Sequence, residues 1–195
     1  MKRRARAKSP KKRTATPAKN VVRTPRFGIL SAEQCLAVLG RNHVGRIAFV
    51  NEGLVDIEPV SYVAGDSWIF VRSAAGAKME ALAHTPYAAF EVDEAAGPFD
   101  WHSVVARGTV YVMSSEGSRV DRADFERALT ALRSFMPGTL TAGDPTPHRQ
   151  TVYGLHVDRL VGRMASSRGG TPNGARDRAT PKPAPGRKQR TPDGF

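Results

Sequence analysis

Residues 54–82 read LVDIEPVSYVAGDSWIFVRSAAGAKMEAL. The first ten alternate with the period of a β-strand, Val55 and Ile57 facing one way and Asp56 and Glu58 the other. Ala64-Gly65-Asp66-Ser67 turns the chain, and residues 68–73 (WIFVRS) form a second strand. Gly76 then precedes a short helix through Met79 and Leu82, which Pro86 stops. Upstream, residues 44–50 (VGRIAFV) and the turn Asn51-Glu52-Gly53 add a strand, so three antiparallel strands run as a meander into one helix. Before them Ser31 stands three residues ahead of Gln34, a capping box, and Cys35, Leu36, Val38 and Leu39 follow at helical spacing until Gly40. Downstream come strands over 87–93 and 101–113, then a helix carrying Phe125, Leu129, Leu132 and Met136 on one face. A Pro- and Gly-rich loop over 137–150 leads to a last strand over 151–161. The order α-β-β-β-α-β-β-α-β predicts a mainly β (α+β) protein, a small barrel of six antiparallel strands with short flanking helices.

The chain has 195 residues, 30 Lys plus Arg and 18 Asp plus Glu, a formal charge of +12. Residues 1–26 hold eleven basic side chains and no acidic one, and residues 164–195 hold seven basic and two acidic. The segment 27–163 is therefore net −4. This divides the chain into a basic N-terminal tail (1–26), a globular domain (27–163) and a basic, Gly- and Pro-rich C-terminal tail (164–195). With so little to bury, both tails are expected to be disordered. An acidic body disfavours a nucleic-acid-binding fold, although the tails leave weak contact with a polyanion open. One cysteine excludes an internal disulfide, and no apolar run reaches the roughly 20 residues of a membrane span. The expectation is a soluble, cytoplasmic protein.

The five histidines have no chelating spacing, and CxxC, HExxH and acidic calcium loops are absent, so no metal site is expected. No G-x-S-x-G elbow or nucleotide-binding glycine fingerprint occurs, and Cys35 reads as a small buried thiol. One segment has the composition of a phosphate site. Arg72 and Ser73 end a strand, a small-residue loop reaches Gly76, and Lys78 lies in the first helical turn. A guanidinium fork, a hydroxyl, free helix N–H groups and an ammonium are what a phosphate dianion requires. The same residues also fit a strand end with a solvated arginine and an exposed helical lysine, and spacing leaves both readings open. Arg163 reads as a solvated charge.

These segments resemble the pyridoxamine 5′-phosphate oxidase-like flavin proteins, in particular the smaller branch with nitroimidazole-reductase-type members. The resemblance spans most of residues 30–163. It is carried by LSAEQCLAVLGRNHVGRIAFV, VDIEPVSYVAGDSWIFVRSAAGAKMEAL, AAFEVDE, WHSVVARGTVYVM and a closing VGR. It implies an FMN-binding split β-barrel that binds FMN at the two-fold interface of a homodimer. On that resemblance Arg72, Ser73 and Lys78 hold the FMN phosphate. Pro59, Val60, Ser61 and Tyr62 run beside the isoalloxazine ring with backbone groups on its polar edge. Trp101 and Ser103 approach from the barrel wall, on the same subunit or its partner; Trp101 equally fits a plug at the barrel end. The family often has Asn where Ser61 stands, and the basic tails are outside its pattern.

The implied function is a flavin-dependent oxidoreductase acting on a small molecule, with reduced nicotinamide (NAD(P)H) as electron donor. The rival readings are a barrel without turnover, one carrying the deazaflavin F420 or haem instead, and a nucleic-acid-associated dimer acting through its basic tails.

Overall fold

The computed structural model describes residues 24–167, so most of both basic tails lies outside the described residues. The elements run β1 (Arg26–Leu30), α1 (Ala32–Arg41), β2 (Val44–Asn51), β3 (Leu54–Gly65), β4 (Trp68–Ser73), α2 (Ala77–His84), β5 (Tyr87–Gly97), β6 (Asp100–Met113), α3 (Arg119–Phe135) and β7 (Thr151–Ser166). Every strand pairing is antiparallel. Six strands close a ring in the order β7-β4-β3-β2-β5-β6, with β6 returning to β7. This is the split β-barrel architecture.

Seven strands are described where six were expected. The extra one, β1, is a five-residue segment whose Phe27 and Ile29 stay exposed, and it forms because β7 offers it an edge. On one side β7 pairs with β6 from Val152 to Ala165; on the other it pairs first with β4 and then, over residues 162–166, with β1. Arg26 and residues 164–166, assigned to the tails by composition, are thus paired strand. Helices α1 and α3 begin where capping chemistry dictates. Ser31 accepts from the Gln34 N–H while the Gln34 side chain accepts from the Ser31 N–H, and Ser118 and Asp121 repeat that box at α3. No helix among the described residues is long and apolar enough to cross a membrane.

The main core fills the ring, with Ile47, Tyr62, Val71, Phe90, Val104 and Tyr153 almost without exposure. A second cluster lies on the other face of β4, where Phe70, Met113 and Val152 pack under Ala128 and Leu132 of α3. At the start of β3 the alternation puts Val55 and Ile57 on the outside, 79% and 59% exposed.

Ring closure brings backbone too close for a side chain at Gly108. A β-bulge shifts the β6–β7 register between Arg107 and Gly108, and a Cβ on Gly108 would lie 1.7 Å from the His156 carbonyl oxygen. Gly40, near the end of α1, has nothing within 4 Å of such a Cβ. Gly108→Ala should therefore cost about 3 kcal/mol or more, because backbone cannot yield as a side-chain tip can. Gly40→Ala should instead stabilise by up to about 1 kcal/mol through helix propensity. Thermal unfolding of the two variants checks both signs.

Candidate functional site

The β3–β4 ladder runs from Gly65↔Trp68 to Tyr62↔Val71 and stops there. Both strands continue, β3 back through Pro59 and β4 on to Ser73, without pairing with each other. The ring is thus parted between residues 58–61 and 72–73. Across the opening Lys78, in the first turn of α2, reaches Glu58 on β3, with Nζ 2.8 Å from Oε2.

Several polar groups of this region are uncommitted among the described residues. Ser73 is buried, on the same face of β4 as the core residue Val71, and its hydroxyl has no partner there. Gly76 starts α2 at φ 147°, with no side-chain cap and open space around its α-carbon. Its carbonyl accepts from Met79 and Glu80, so the preceding N–H groups of Ala77 and Lys78 stay outside the helical ladder. Tyr153, opposite Val71 on β7, is fully buried, yet its hydroxyl has no partner. Burial pushes its pKa up, the charge of Glu58 adds to that, and Arg149 opposes it. A buried hydroxyl without a partner costs about 1–3 kcal/mol, which a bound acceptor or donor would offset.

Arg72 stands elsewhere. Alternation turns it to the opposite face of β4 from Ser73, beside the 137–150 loop. Its Nε donates to the Arg149 carbonyl at 2.8 Å and its Nη2 to the Thr146 carbonyl at 2.9 Å, with Asp144 Oδ2 also 2.8 Å from Nη2. Both side chains of the ion pair are only 3% exposed. Burial pushes the Asp144 carboxyl up, but N–H groups of Thr146 and Leu140 and the Arg72 guanidinium outweigh it and bring it to about 2. The guanidinium expected on a phosphate is thus occupied in holding a loop against the barrel.

The other expected residues divide between faces and ends. Tyr62 is core, its hydroxyl donating to the Leu39 carbonyl at 2.8 Å and its ring edge-on to Phe90. Val60 is also core, Ser61 is half-buried and Pro59 is exposed. Pro59, Val60 and Ser61 share backbone along the parted edge of β3, and Tyr62 is the residue at which the ladder to β4 ends. Trp101 packs near Phe27, ring centroids 6.4 Å apart, beside a cavity of about 490 Å³ that Glu94, Asp100, His102 and Met164 help to line. Ser103 Oγ donates to Glu91, which also binds Arg46. Trp101 pairs with Ala165 of β7, whereas Arg72 pairs with Val152, thirteen residues away along the same strand. At roughly 3.3 Å per residue these lie at opposite ends of the barrel, so one protomer does not bring Trp101 and Lys78 together. Among the described residues no group of three or more His, Cys, Asp or Glu is placed to hold a metal ion.

Sequence reasoning missed Glu58, Asp144 and Tyr153. Glu58 and Asp144 look like ordinary polar positions of a strand and a loop, and Tyr153 sits in an apolar run typical of core. Arg72→Ala should behave as a folding mutation. It leaves Asp144 buried and unpaired, lowering Tm by roughly 10 °C or more. Lys78→Gln, beside an exposed partner, should change Tm far less. Thermal denaturation without added ligands separates the two.

The sequence pattern of the pyridoxamine 5′-phosphate oxidase family matches residues 31–164. No curated protein matches the chain. Among solved structures, a FAD-binding protein from Mesorhizobium loti superimposes with a TM-score of 0.56 at 23% identity, covering 70% of this chain and 96% of that one. A candidate 5-nitroimidazole antibiotic resistance protein from Bacteroides thetaiotaomicron gives 0.56 at 14% identity, over 73% of this chain and 89% of that one. A FAD and haem binding protein from Mycobacterium smegmatis gives 0.54 at 20% identity, over 74% and 75%. At these identities the likeness speaks for the split-barrel fold, and the match over residues 31–164 for descent: the chain belongs to the pyridoxamine 5′-phosphate oxidase family.

Proposed function

We propose that the protein binds a flavin, FMN, in the opening between β3 and β4 and acts as a cytoplasmic, homodimeric flavin-dependent oxidoreductase on a small molecule. The observation that carries this reading is the set of polar groups around that opening: the uncommitted Ser73 and Tyr153 hydroxyls and N–H groups at the start of α2, beside Lys78 in its ion pair with Glu58. Such a set fits one phosphate better than two, since it gathers at one helix end. Family membership, and the flavin named for the Mesorhizobium and Mycobacterium proteins, support the choice of cofactor class.

In this reading FMN supplies the electron-accepting and hydride-accepting chemistry, with reduced nicotinamide as donor. The chain supplies binding and orientation. Lys78 would exchange Glu58 for phosphate, Ser73 and the Ala77 and Lys78 N–H groups would donate to phosphate oxygens, and the parted backbone of Pro59, Val60 and Ser61 would present donors and acceptors to the ring edge. Arg72 acts indirectly, fixing the end of β4 through Asp144. Trp101 and Ser103 would come from the partner subunit, because their own lie at the far end of the barrel. The apolar outer face around Val55 and Ile57 gives a second copy a surface to cover.

The absorption spectrum of the purified protein tests the cofactor class, separating flavin from deazaflavin and haem. A fluorescence titration then tests the site. Hydrogen bonds to charged groups are worth about 1.5–3 kcal/mol, so Lys78→Gln should weaken FMN binding about 10- to 150-fold. Riboflavin, lacking the phosphate, should bind wild type weakly and be indifferent to that change. Equal FMN affinity in both proteins would remove the phosphate site.

A further inference from the structure

Three rings meet on the outside of the barrel where β4, β7 and β6 run side by side. Trp68 pairs with His156, and Tyr111 pairs with Gly154, two residues back along β7, so strand alternation gives all three side chains one face. Gly154 lets the indole lie across β7, since a Cβ there would come 2.8 Å from an indole carbon. Phe70, buried under α3, stacks with the indole at 6.0 Å and fixes it. Tyr111 and His156 stand steeply to the indole plane, at 65° and 72°, with centroids 5.7 and 5.0 Å away. The three rings line a cavity of about 440 Å³, closed on its other side by the loop after β6 and the first turns of α3.

That other side is acidic. Glu116, Asp121 and Asp124 line the cavity, and no lysine or arginine does. The Ser118 N–H holds the Asp121 carboxyl below its ordinary range, and the Glu116 carboxylate has no hydrogen bond or ion pair among the described residues. The cations nearby are committed elsewhere: Arg122 donates to the Gly117 carbonyl and Arg127 pairs with Asp124. His156 is matched by Asp158, with Nδ1 3.1 Å from Oδ1, and Arg107 and Arg159 line the neighbouring cavity with Asp158 rather than this one. The indole already draws a positive charge, for Arg127 Cζ lies over it, 5.8 Å from the centroid. Among the described residues the Tyr111 and His156 rings carry no such cation.

Ring faces attract a weakly hydrated cation without needing hydrogen bonds, and carboxylates beside them add charge, a combination suited to quaternary ammonium groups. The acidic side chains are not gathered closely enough to hold a metal ion. We infer that Trp68, Tyr111 and His156, with Glu116, Asp121 and Asp124, form a binding site for a small quaternary ammonium compound. The site lies past the Gly108 bulge, beside the start of α3. It shares no residue with the β3–β4 opening, nor with the surface around Trp101, Ser103, Val55 and Ile57 that the flavin reading gives to a second copy.

The test is a proton NMR titration of choline with the full-length protein, run beside the same titration of its uncharged carbon isostere, 3,3-dimethyl-1-butanol. Ring currents should move the choline methyl line upfield and saturably, and the alcohol should bind about tenfold more weakly. Tyr111→Leu should weaken choline binding about fivefold, while Tyr111→Phe leaves it unchanged, because the ring face and not the hydroxyl is used. Glu116→Gln should weaken it about threefold at low salt. Arg127→Gln should tighten it about fivefold by removing the resident cation. Tyr111, Glu116 and Arg127 are exposed, so these variants should fold. No saturable choline shift, equal binding of the alcohol, or wild-type affinity in Tyr111→Leu overturns the site. Weaker binding in Arg127→Gln would make Arg127 a part of the site instead of a competitor for it, and overturns the inference as well.

Discussion

The molecule depends on the strand over residues 151–166. It bonds to β6 along nearly its whole length, and on its other edge to β4 and then to β1. No other strand among the described residues joins three partners. Without it the meander β2-β3-β4 and the hairpin β5-β6 would share only the short β2–β5 contact, from Arg46↔Glu91 to Ala48↔Ala89, and the interior would stay open on one side. Closure has local requirements, seen in the bulge at Gly108 and in Gly162, where a Cβ would lie 2.5 Å from Cys35 Sγ. Closure also brings Tyr153 into the interior, where its hydroxyl has no partner.

A ring closed in this way need not be bonded everywhere. β3 and β4 separate beyond Tyr62 and Val71, and the ends of the two strands are held by different means. β4 is fixed by Arg72, which ties it to the 137–150 loop through Asp144 and two carbonyls. β3 is fixed by its ladder to β2 on the other edge. The opening between them is bridged by one ion pair with a half-exposed carboxylate, Lys78–Glu58, which contributes little to stability and is free to change partner. The same chain segment thus provides a rigid wall and a labile contact, the combination a cofactor site requires.

Much of this was legible in the sequence. The capping box at Ser31, the turn at residues 64–67 and the alternation of β3 have local causes, and local chemistry is read directly from residue order. The strand β1 was not legible, because RFGIL becomes a strand only through a partner more than 130 residues away. The phosphate motif was legible as a set of residue types, but the division of labour within it was not. Arg72 and Ser73 are neighbours in sequence, yet strand alternation sends one under the loop and the other toward the core, and nothing near Arg72 announces Asp144. Arg107 and Arg159 are likewise far apart in sequence, and only the bulged register sets them opposite each other.

The central claim is that the parting of β3 and β4, roofed by α2, is where the cofactor binds. A crystal structure of the full-length protein grown with FMN tests it most directly. The account predicts density for the phosphate against Ser73, the α2 N–H groups and Lys78, with the ring along residues 59–61 and Glu58 released from Lys78. Flavin bound at another surface, with the Lys78–Glu58 pair intact, would contradict it.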